Sequence, residues 1–500
     1  MSILRSSIIH LTYCSPVIRK STAILFTLIS CFALPACLTL DSGGNPLSSD
    51  LASKTPSQWQ GMPIKVPQKS ATAWIHDFNS PELSSLVTQA VDKNYQLLAA
   101  SARVRSAGAR VRISGADRYP QLSLGQNSSR SQRLRGASFQ KTTSNQFLLS
   151  GDISWETDLW GRLSDLQQAS RDQLAASSAD YQASRLSLAA DVIKTTLDLV
   201  EFRMQTELSR QTLKSLQTNL AILDAKLEAG DVNDRTALEI SLSRSDVARA
   251  KGSIAQQQRD GDGAKRRLET LLGHYPAGKI AALRRFPTVK RSVPVGLPSE
   301  LLLRRPDIVA AEHRVDAALK NLSASRKALL PSLRITAGGG TSTTQSFQDV
   351  FDPQALVWNI GYGLSQPLFE GGRLRGNIEL SSAQRDELAA QYADTALNAF
   401  REVETALAAE AFFKQQESHL EDASKEALLA EELSLAQYER GLVDIITVLE
   451  SQRRAFDSRS TLLTIKNQRL QNRVDLYLAL GGDFDHSPDV QTSPLQKPPR

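Results

Sequence analysis

The chain has 500 residues and a formal net charge of +6, with 59 basic and 53 acidic side chains. Half of that excess belongs to Arg5, Arg19 and Lys20, which lie in an N-terminal leader without acidic residues. The remaining charge is too small for a nucleic-acid-binding surface. A chain of this length ordinarily forms about three domains.

The leader predicts export from the cytoplasm. A basic pair, Arg19-Lys20, precedes an apolar run from Ala23 to Leu34, which is too short to cross a bilayer and is typical of a secretion signal. The run ends in "LPAC", which resembles the lipobox of bacterial lipoproteins and would leave Cys37 as a lipidated N-terminus. By the same resemblance, Leu38 implies transport to the outer membrane. An ordinary signal peptide is the alternative.

These features predict a signal peptide over residues 1–36 and a linker rich in Pro, Gly and Ser over 37–73. The Pro-rich end, residues 483–500, is predicted to be a disordered tail. All three cysteines lie in or at the end of the leader, so the mature chain is expected to contain no disulfide.

The body of the chain contains an internal repeat. Residues recur in order at a spacing of 211, as in Pro120/Pro331, Gly161/Gly372 and Gly230/Gly441. The segments "RDQLAASSAD" and "RDELAAQYAD" repeat at 214. This order predicts two equivalent units, 74–290 and 291–482, rather than three unrelated domains.

Each unit first provides two strands. Apolar residues alternate with polar or small ones in "YPQLSLGQ" and "FLLSGDISWETDLW", and again in "LPSLRITAGGG" and "ALVWNIGYGLSQPLF". This alternation is typical of strands with one face toward lipid. Four strands cannot close a barrel, so strands in a membrane would require oligomerisation. A soluble four-stranded sheet is the alternative.

Each unit then provides a long helix. No Gly or Pro occurs between Gly161 and Gly230, nor between Gly376 and Gly441, so continuous helices of roughly 100 Å are predicted. Further helical sequence follows each terminal glycine and predicts two helical hairpins. The apolar positions form a narrow coiled-coil stripe in the first long helix, at residues Ile193, Leu197, Val200, Met204, Leu213, Leu216, Leu220, Leu223 and Leu227.

Five phrases, in order, resemble the TolC-like outer-membrane efflux family, specifically its lipoprotein branch of OprM/NodT-type channels. They are "DLWGRL", "LPSELLLRRPDIVAAEHRV", "QPLFEGGRLRG", "AFREVETAL" and "LYLALGGDF". The resemblance covers about residues 74–484. It implies a mainly α fold with membrane β: a homotrimeric outer-membrane β-barrel with four strands per protomer, continued by a coiled-coil helical tunnel in the periplasm.

The resemblance also implies a function. The chain would be the outer-membrane channel of a tripartite efflux system, passively conducting drugs or other small toxic compounds, with a periplasmic adaptor and an inner-membrane RND-type pump as partners. A channel of type I protein secretion shares the fold and is the alternative. A periplasmic adaptor is less consistent, because it would contain one hairpin instead of two repeated units.

The resemblance also suggests a periplasmic gate after Gly441. Ile446 and Glu450 are four residues apart and share a helix face. In OprM-type channels an apolar residue and an acid at these places form constricting rings. The alternative is that Glu450 is a solvated helix acid.

Other residues are candidates for the same gate. Asp444 could add a second acidic ring, and Arg440 or Arg453 could offset the repulsion between acids. Glu239 occupies the place in the first unit that Glu450 occupies in the second.

No catalytic or cofactor site is predicted. The six histidines are scattered without metal-ligand spacing, and "GGGTSTT" lacks the Lys of a phosphate-binding loop. We therefore expect no enzyme activity, no metal and no cofactor, apart from covalent lipid on Cys37.

Overall fold

A computed structural model describes residues 74–135, 140–230, 236–281, 283–289, 298, 302 and 304–482. All of them belong to one of the chain's two compact units, Asn45–Arg500. The helices are α1 (Pro81–Lys93), α2 (Tyr95–Ala116), α3 (Arg162–Glu228), α4 (Thr236–Leu271), α5 (Pro306–Lys327), α6 (Arg373–Glu439) and α7 (Ile445–Ala479). The strands are β1 (Gln121–Arg135), β2 (Gln140–Thr157), β3 (Ser332–Thr343) and β4 (Leu356–Ser365).

The four strands that the alternating patterns predicted are present, and they form one antiparallel sheet in the order β1-β2-β3-β4. Direct partners across the sheet share a face, so Leu122, Ile153, Ala337 and Ile360 form one row. The neighbouring row joins Trp155, Ile335 and Tyr362. One face of the sheet is therefore apolar, and its large side chains on β1 and β4 are exposed in the single chain.

The two long helices are confirmed. α3 and α6 each contain 67 residues, about 100 Å at 1.5 Å per residue. α6 begins at Arg373, ahead of Gly376, so the glycine-free window underestimated its length. Glycines with positive φ mark the start of both helices, Gly161 at 74° and Gly372 at 87°. Asp158 accepts hydrogen bonds from the first turn of α3, from Leu163 N and Ser164 N.

The predicted apolar stripe of α3 is buried along most of its length. Ile193, Leu197, Val200, Leu216 and Leu223 are buried. Leu227 is different, because 45% of its surface is exposed. The sequence predicted that Leu227 belongs to the packed stripe, and this was wrong in the described chain. The apolar cluster at the hairpin ends includes Leu223 but not Leu227.

The core consists of three apolar clusters rather than one. One cluster joins α1, α2, α3 and α4 to the C-terminal part of α7. A second joins α5, α6 and α7, and a third lies where the two hairpins end. Helix α7 contributes to all three, so it links the N-terminal and C-terminal halves.

Polar contacts fix the position of α7. Toward α6 it forms salt bridges from Arg469 to Glu417 (2.5 Å) and from Lys466 to Glu421 (2.8 Å). Toward α3, Asn467 donates hydrogen bonds to Asp198 and Glu201, at 3.0 and 2.6 Å. Because these bonds require defined geometry, they set the register of the three helices.

A buried arginine joins the helices near the start of α5. Arg305 makes a bidentate salt bridge to Asp307, at 3.0 and 2.7 Å, and a 2.6 Å bond to Glu402 of α6. It also donates to the carbonyl oxygen of Ala479 at 3.2 Å. The phrase "RRPDI" therefore encodes a buried ionic junction of α5, α6 and α7.

Both halves contain a helix, two strands, a long helix and a shorter helix in the same order, and the first half has one additional described helix, α1, at its start. The boundaries predicted for the two units, 74–290 and 291–482, stay a prediction. The predicted signal peptide, linker and tail, and with them Cys37, lie outside the described residues. None of the helices in the described part of the chain is both long and apolar enough to cross a membrane.

Candidate gate at the ends of the helical hairpins

The two helical hairpins turn at glycines. α3 ends at Glu228 and is followed by Gly230 with a φ of 78°. α6 ends at Glu439 and is followed by Gly441 with a φ of 72°. A positive φ costs glycine no steric energy, so each long helix can stop and reverse at these points.

An apolar cluster brings the ends of the two hairpins together. Its buried members are Leu216 and Leu223 of α3, Ile240 and Val247 of α4, and Ile445, Val448 and Leu449 of α7. Burial of such side chains contributes on the order of 1.5–3 kcal/mol each. The hairpin ends are thus packed together within one chain.

A buried polar contact crosses the same interface. Asn219 of α3 donates to Gln452 Oε1 of α7 at 2.8 Å, and Gln452 Nε2 donates to Ser215 Oγ at 2.8 Å. Asn219 and Gln452 are both buried. Because an unpaired buried amide is costly, this pair favours a single register of α3 against α7.

A second contact joins the last turns of the two long helices. Lys226 Nζ of α3 donates to the hydroxyl of Tyr438 of α6 at 3.1 Å. The same nitrogen lies 4.7 Å from the centre of the Tyr438 ring, which is the geometry of a cation–π contact. This contact ties the first hairpin to the second at its tip.

Glu450 lies one turn into α7 and is paired on its own helix. It accepts bonds from Arg454 Nε at 2.8 Å and from Arg453 Nη2 at 2.7 Å. The hydrogen bonds from Arg454 and then Arg453 lower the pKa of the Glu450 carboxyl. Glu450 therefore keeps its charge at neutral pH, and two guanidinium groups balance it.

Ile446 is partly exposed, at 36% of its surface, although its neighbours Ile445 and Val448 are buried. Leu442 in the preceding turn is exposed as well. An apolar side chain and a charge-balanced acid thus lie one helical turn apart on an unburied face of α7.

The other predicted gate residues have different surroundings. Asp444 caps α7, because its Oδ1 accepts from Thr447 N at 2.9 Å and from Thr447 Oγ1 at 2.8 Å. Arg440 follows α6 and forms no salt bridge with any described residue. Glu239 lies in the first turn of α4, likewise without an ion pair in the part of the chain that the structure describes. Of the two predicted cations, the structure thus pairs Arg453 with Glu450.

Sequence reasoning missed three residues here: Lys226, Tyr438 and Arg454. Arg454 could have been found, because a base four residues after an acid on a helix is a common pair. Lys226 and Tyr438 each lie within four residues of a turn glycine, but no local pattern indicates that they touch. No group of His, Cys, Asp and Glu side chains that could hold a metal occurs among the described residues.

Comparisons with known proteins agree with this architecture. The family model described as outer membrane efflux protein matches residues 86–274 and 297–482. The pyoverdine export outer membrane protein OpmQ of Pseudomonas putida is 33% identical over 466 residues, covering 90% of this chain and 97% of its own. The cation efflux system protein CusC of Escherichia coli (strain K12) is 30% identical, covering 90% of this chain and 99% of its own.

A third relative and a solved structure extend the likeness. The probable outer membrane lipoprotein SilC of Salmonella typhimurium is 28% identical, covering 83% of this chain and 88% of its own. A crystal structure of CusC, from a study of its folding and transmembrane channel formation, superposes with a TM-score of 0.75 at 27% identity. It covers 86% of this chain and 98% of the solved one.

Proposed function

Because the chain belongs to the outer membrane efflux protein family, we propose that it is the outer-membrane channel of a tripartite efflux system. It passively conducts small toxic compounds from a periplasmic adaptor and an inner-membrane pump to the exterior. The observation that carries this proposal is the family match over both halves, together with two hairpins whose ends converge.

The relatives' names favour efflux over type I protein secretion, since OpmQ is an export protein for pyoverdine and CusC is part of a cation efflux system. An adaptor and an RND-type pump are the partners that this role requires. The pump would select the cargo, which leaves the channel without an enzymatic or cofactor-dependent step.

The channel is proposed to be a homotrimer. The sheet has two edges, β1 and β4, whose outward-facing backbone groups have no strand partner among the described residues. In lipid each such group would cost several kcal/mol, so three sheets joined edge to edge would be strongly favoured over one. The exposed apolar side chains on one face of β4, Trp358, Ile360 and Tyr362, support a lipid-facing surface for the resulting twelve-stranded barrel.

The proposal includes a lipid anchor at Cys37 and an internal duplication. The lipobox and the likeness to the lipoprotein SilC support the anchor in the outer membrane. The repeated element order and the family model's two matched segments support two equivalent units, so that a trimer would contain six of them.

Threefold symmetry would convert the hairpin ends into a gate. Three copies of Ile446 and Glu450 would surround the axis, where the apolar side chains narrow the opening and the acids form a charged ring. The Arg453 and Arg454 pairs would reduce repulsion among the three carboxylates. Asp444 would act mainly by capping α7, while Arg440 and Glu239 remain candidates for contacts between protomers.

The test is a conductance measurement in planar bilayers. Changing Ile446→Ala together with Glu450→Gln should raise the single-channel conductance and admit large antibiotics such as vancomycin to cells. The matched control is Glu426→Gln, at an exposed acid on α6 away from the tip, which should behave like the wild type. If the Ile446/Glu450 variant also conducts like the wild type, the gate is elsewhere.

The efflux role has its own test. Deleting the gene should raise sensitivity to a panel of toxic compounds, and the wild-type gene should restore resistance. Unchanged sensitivity combined with loss of a secreted protein would instead support type I secretion.

A further inference from the structure

A cavity lies between the two hairpins, beyond the gate residues in the direction of the C-terminus of α7. Its volume is about 1130 Å³, and its walls come from residues 199–211 of α3, 257–265 of α4 and 459–463 of α7, together with residues 279–281 and 284, which follow α4. Ser424 of α6 completes the lining.

Part of the cavity lining is apolar. These side chains, called the floor here, are Leu199 and Phe202 of α3, Leu462 and Leu463 of α7, and Ile280. Phe202, Ile280, Leu462 and Leu463 are only partly buried, so apolar surface remains open to the cavity. Such a surface favours a hydrocarbon group over water.

The charged side chains of the lining, called the rim here, carry an excess of positive charge. Two acids line the cavity, Glu207 and Asp262, and Asp262 already pairs with Arg266 at 2.8 Å. The cations are Arg203, Arg210, Lys265, Lys279, Arg284 and Arg459. No carboxylate of a described residue forms a salt bridge with Arg210, Lys265, Lys279 or Arg284. Clustered cations without counter-charges attract anions into a cleft.

The rim segment is held in place before any ligand arrives. The carboxylate of buried Glu269 accepts three backbone hydrogen bonds, from Gly278 N at 2.6 Å, Lys279 N at 2.7 Å and Ile280 N at 3.0 Å. Gly278 has a φ of 71°, and a Cβ there would lie 2.7 Å from Asp262 Oδ1. The turn is thus fixed on α4, and Lys279 and Ile280 are fixed beside the cavity.

We propose that this cavity is a binding site for an anionic amphiphile. The hydrocarbon part lies on the floor between Phe202 and Leu462, and a carboxylate or phosphate head faces Lys279 and Arg284. The volume is that of a small-molecule site, which favours such a ligand over an acidic protein surface. The site does not depend on conduction and goes beyond the channel function.

A ligand here would contact α3, α4 and α7 at once. Since it would bind best when the two hairpins keep their present arrangement, it would stabilise that arrangement. The cavity, which contacts the middle of α7, would therefore couple the presence of an anionic amphiphile to the position of this helix, whose N-terminal end carries the gate residues.

The test uses the full-length protein in nanodiscs of zwitterionic phosphatidylcholine and a dansyl-labelled undecanoic acid as the probe. We expect saturable binding with a rise in dansyl fluorescence, and binding of the probe's uncharged methyl ester that is weaker by about tenfold or more. Equal affinity for the acid and the ester would overturn the proposal, because the cations would then contribute nothing.

Matched double variants locate the site. Lys279→Gln with Arg284→Gln should weaken binding of the acid by about tenfold. Lys214→Gln with Arg267→Gln removes the same charge from exposed positions of α3 and α4 that do not line the cavity, and should leave the affinity unchanged. An equal loss in both variants would mean that only bulk charge matters and would refute the site.

Displacement of the probe and a change in the cavity floor provide two further measurements. Free laurate or a water-soluble short-chain phosphatidylglycerol should displace the probe, the first indicating recognition of a carboxylate head and the second of a phosphate head; displacement by neither would contradict the proposal. Leu463→Trp should block the floor and abolish binding. Single-channel conductance of the Lys279/Arg284 variant without probe should match the wild type, so failure of this site is distinguishable from failure of the channel function.

Discussion

The contact between Lys226 and Tyr438 offers a direct test of how the hairpin ends are held together. Lys226→Met keeps most of the apolar stem but removes both the 3.1 Å hydrogen bond and the cation–π contact. Tyr438→Phe keeps the ring and removes only the hydrogen bond. The two variants therefore separate the two components of the contact.

The size of the effect follows from the geometry. A partly exposed hydrogen bond of this kind contributes about 1 kcal/mol, and an exposed cation–π contact about 0.5 kcal/mol. Lys226→Met should thus weaken the closed arrangement by about 1.5 kcal/mol per protomer. In the proposed trimer this amounts to about 4.5 kcal/mol, which corresponds to about a thousandfold change in the opening equilibrium, since 1.4 kcal/mol is tenfold. Tyr438→Phe should give about a hundredfold change by the same reasoning.

Single-channel recording in planar bilayers measures this equilibrium as the fraction of time spent in the high-conductance state. Lys214→Met is the matched control, because Lys214 is an exposed lysine of the same helix without an ionic partner among the described residues. If Lys226→Met and Lys214→Met both conduct like the wild type, the contact does not hold the hairpins together. If adding Tyr438→Phe to Lys226→Met increases opening much further, the two residues act independently and the assigned pairing is wrong.

Further predictions concern charge, stability, lipidation and assembly. Because hydrogen bonds from Arg454 and Arg453 lower the pKa of Glu450, its ion pairs with them should persist above the ordinary carboxyl value of 4.5 and be lost as the pH falls through the lowered pKa; any change in conductance that depends on the Glu450 charge should occur only in that acidic range. Arg305→Met leaves two carboxylates without their partner and should lower the unfolding free energy by about 3 kcal/mol, seen as a lower Tm, whereas Arg304→Met should change it little. Radiolabelled fatty acid should enter the wild-type protein, and Cys37→Ser should stop it; an unlabelled wild type would exclude the anchor. Light scattering in mild detergent should give three chains per particle, and a monodisperse monomer would contradict the proposed closure of the sheet.

The sequence alone predicted the two long helices, the two helical hairpins and the presence of four strands. The absence of Gly and Pro over more than sixty residues predicts α3 and α6, because no residue there interrupts the backbone hydrogen bonds of a helix. Alternation at Trp358, Ile360 and Tyr362 gives a strand and also identifies its apolar face, since side chains on a strand alternate. The turn glycines, Gly230 and Gly441, likewise follow from the local requirement for positive φ.

The gate residues were only partly determined in this way. Ile446 and Glu450 share a face of α7 because of helix periodicity, and the pairing of Glu450 with Arg453 and Arg454 is local as well. Asp444 shows the limit of such reasoning, because the sequence suggested a second acidic ring at this position. In the structure its carboxylate accepts a hydrogen bond from Thr447 N, which is the N-cap role that its place before a helix also favours.

Only the tertiary structure decided which helices touch and in what register. Lys226 and Tyr438 are separated by 212 residues, and Asn219 and Gln452 by 233, so no periodic pattern within either helix could pair them. The same holds for the cationic cavity, whose rim combines α3, α4, α7 and the segment fixed by Glu269. Local sequence sets backbone conformation through the steric and hydrogen-bonding preferences of neighbouring residues. Contacts between distant helices depend instead on the packing of the long helices against one another, and that packing is determined by the whole fold.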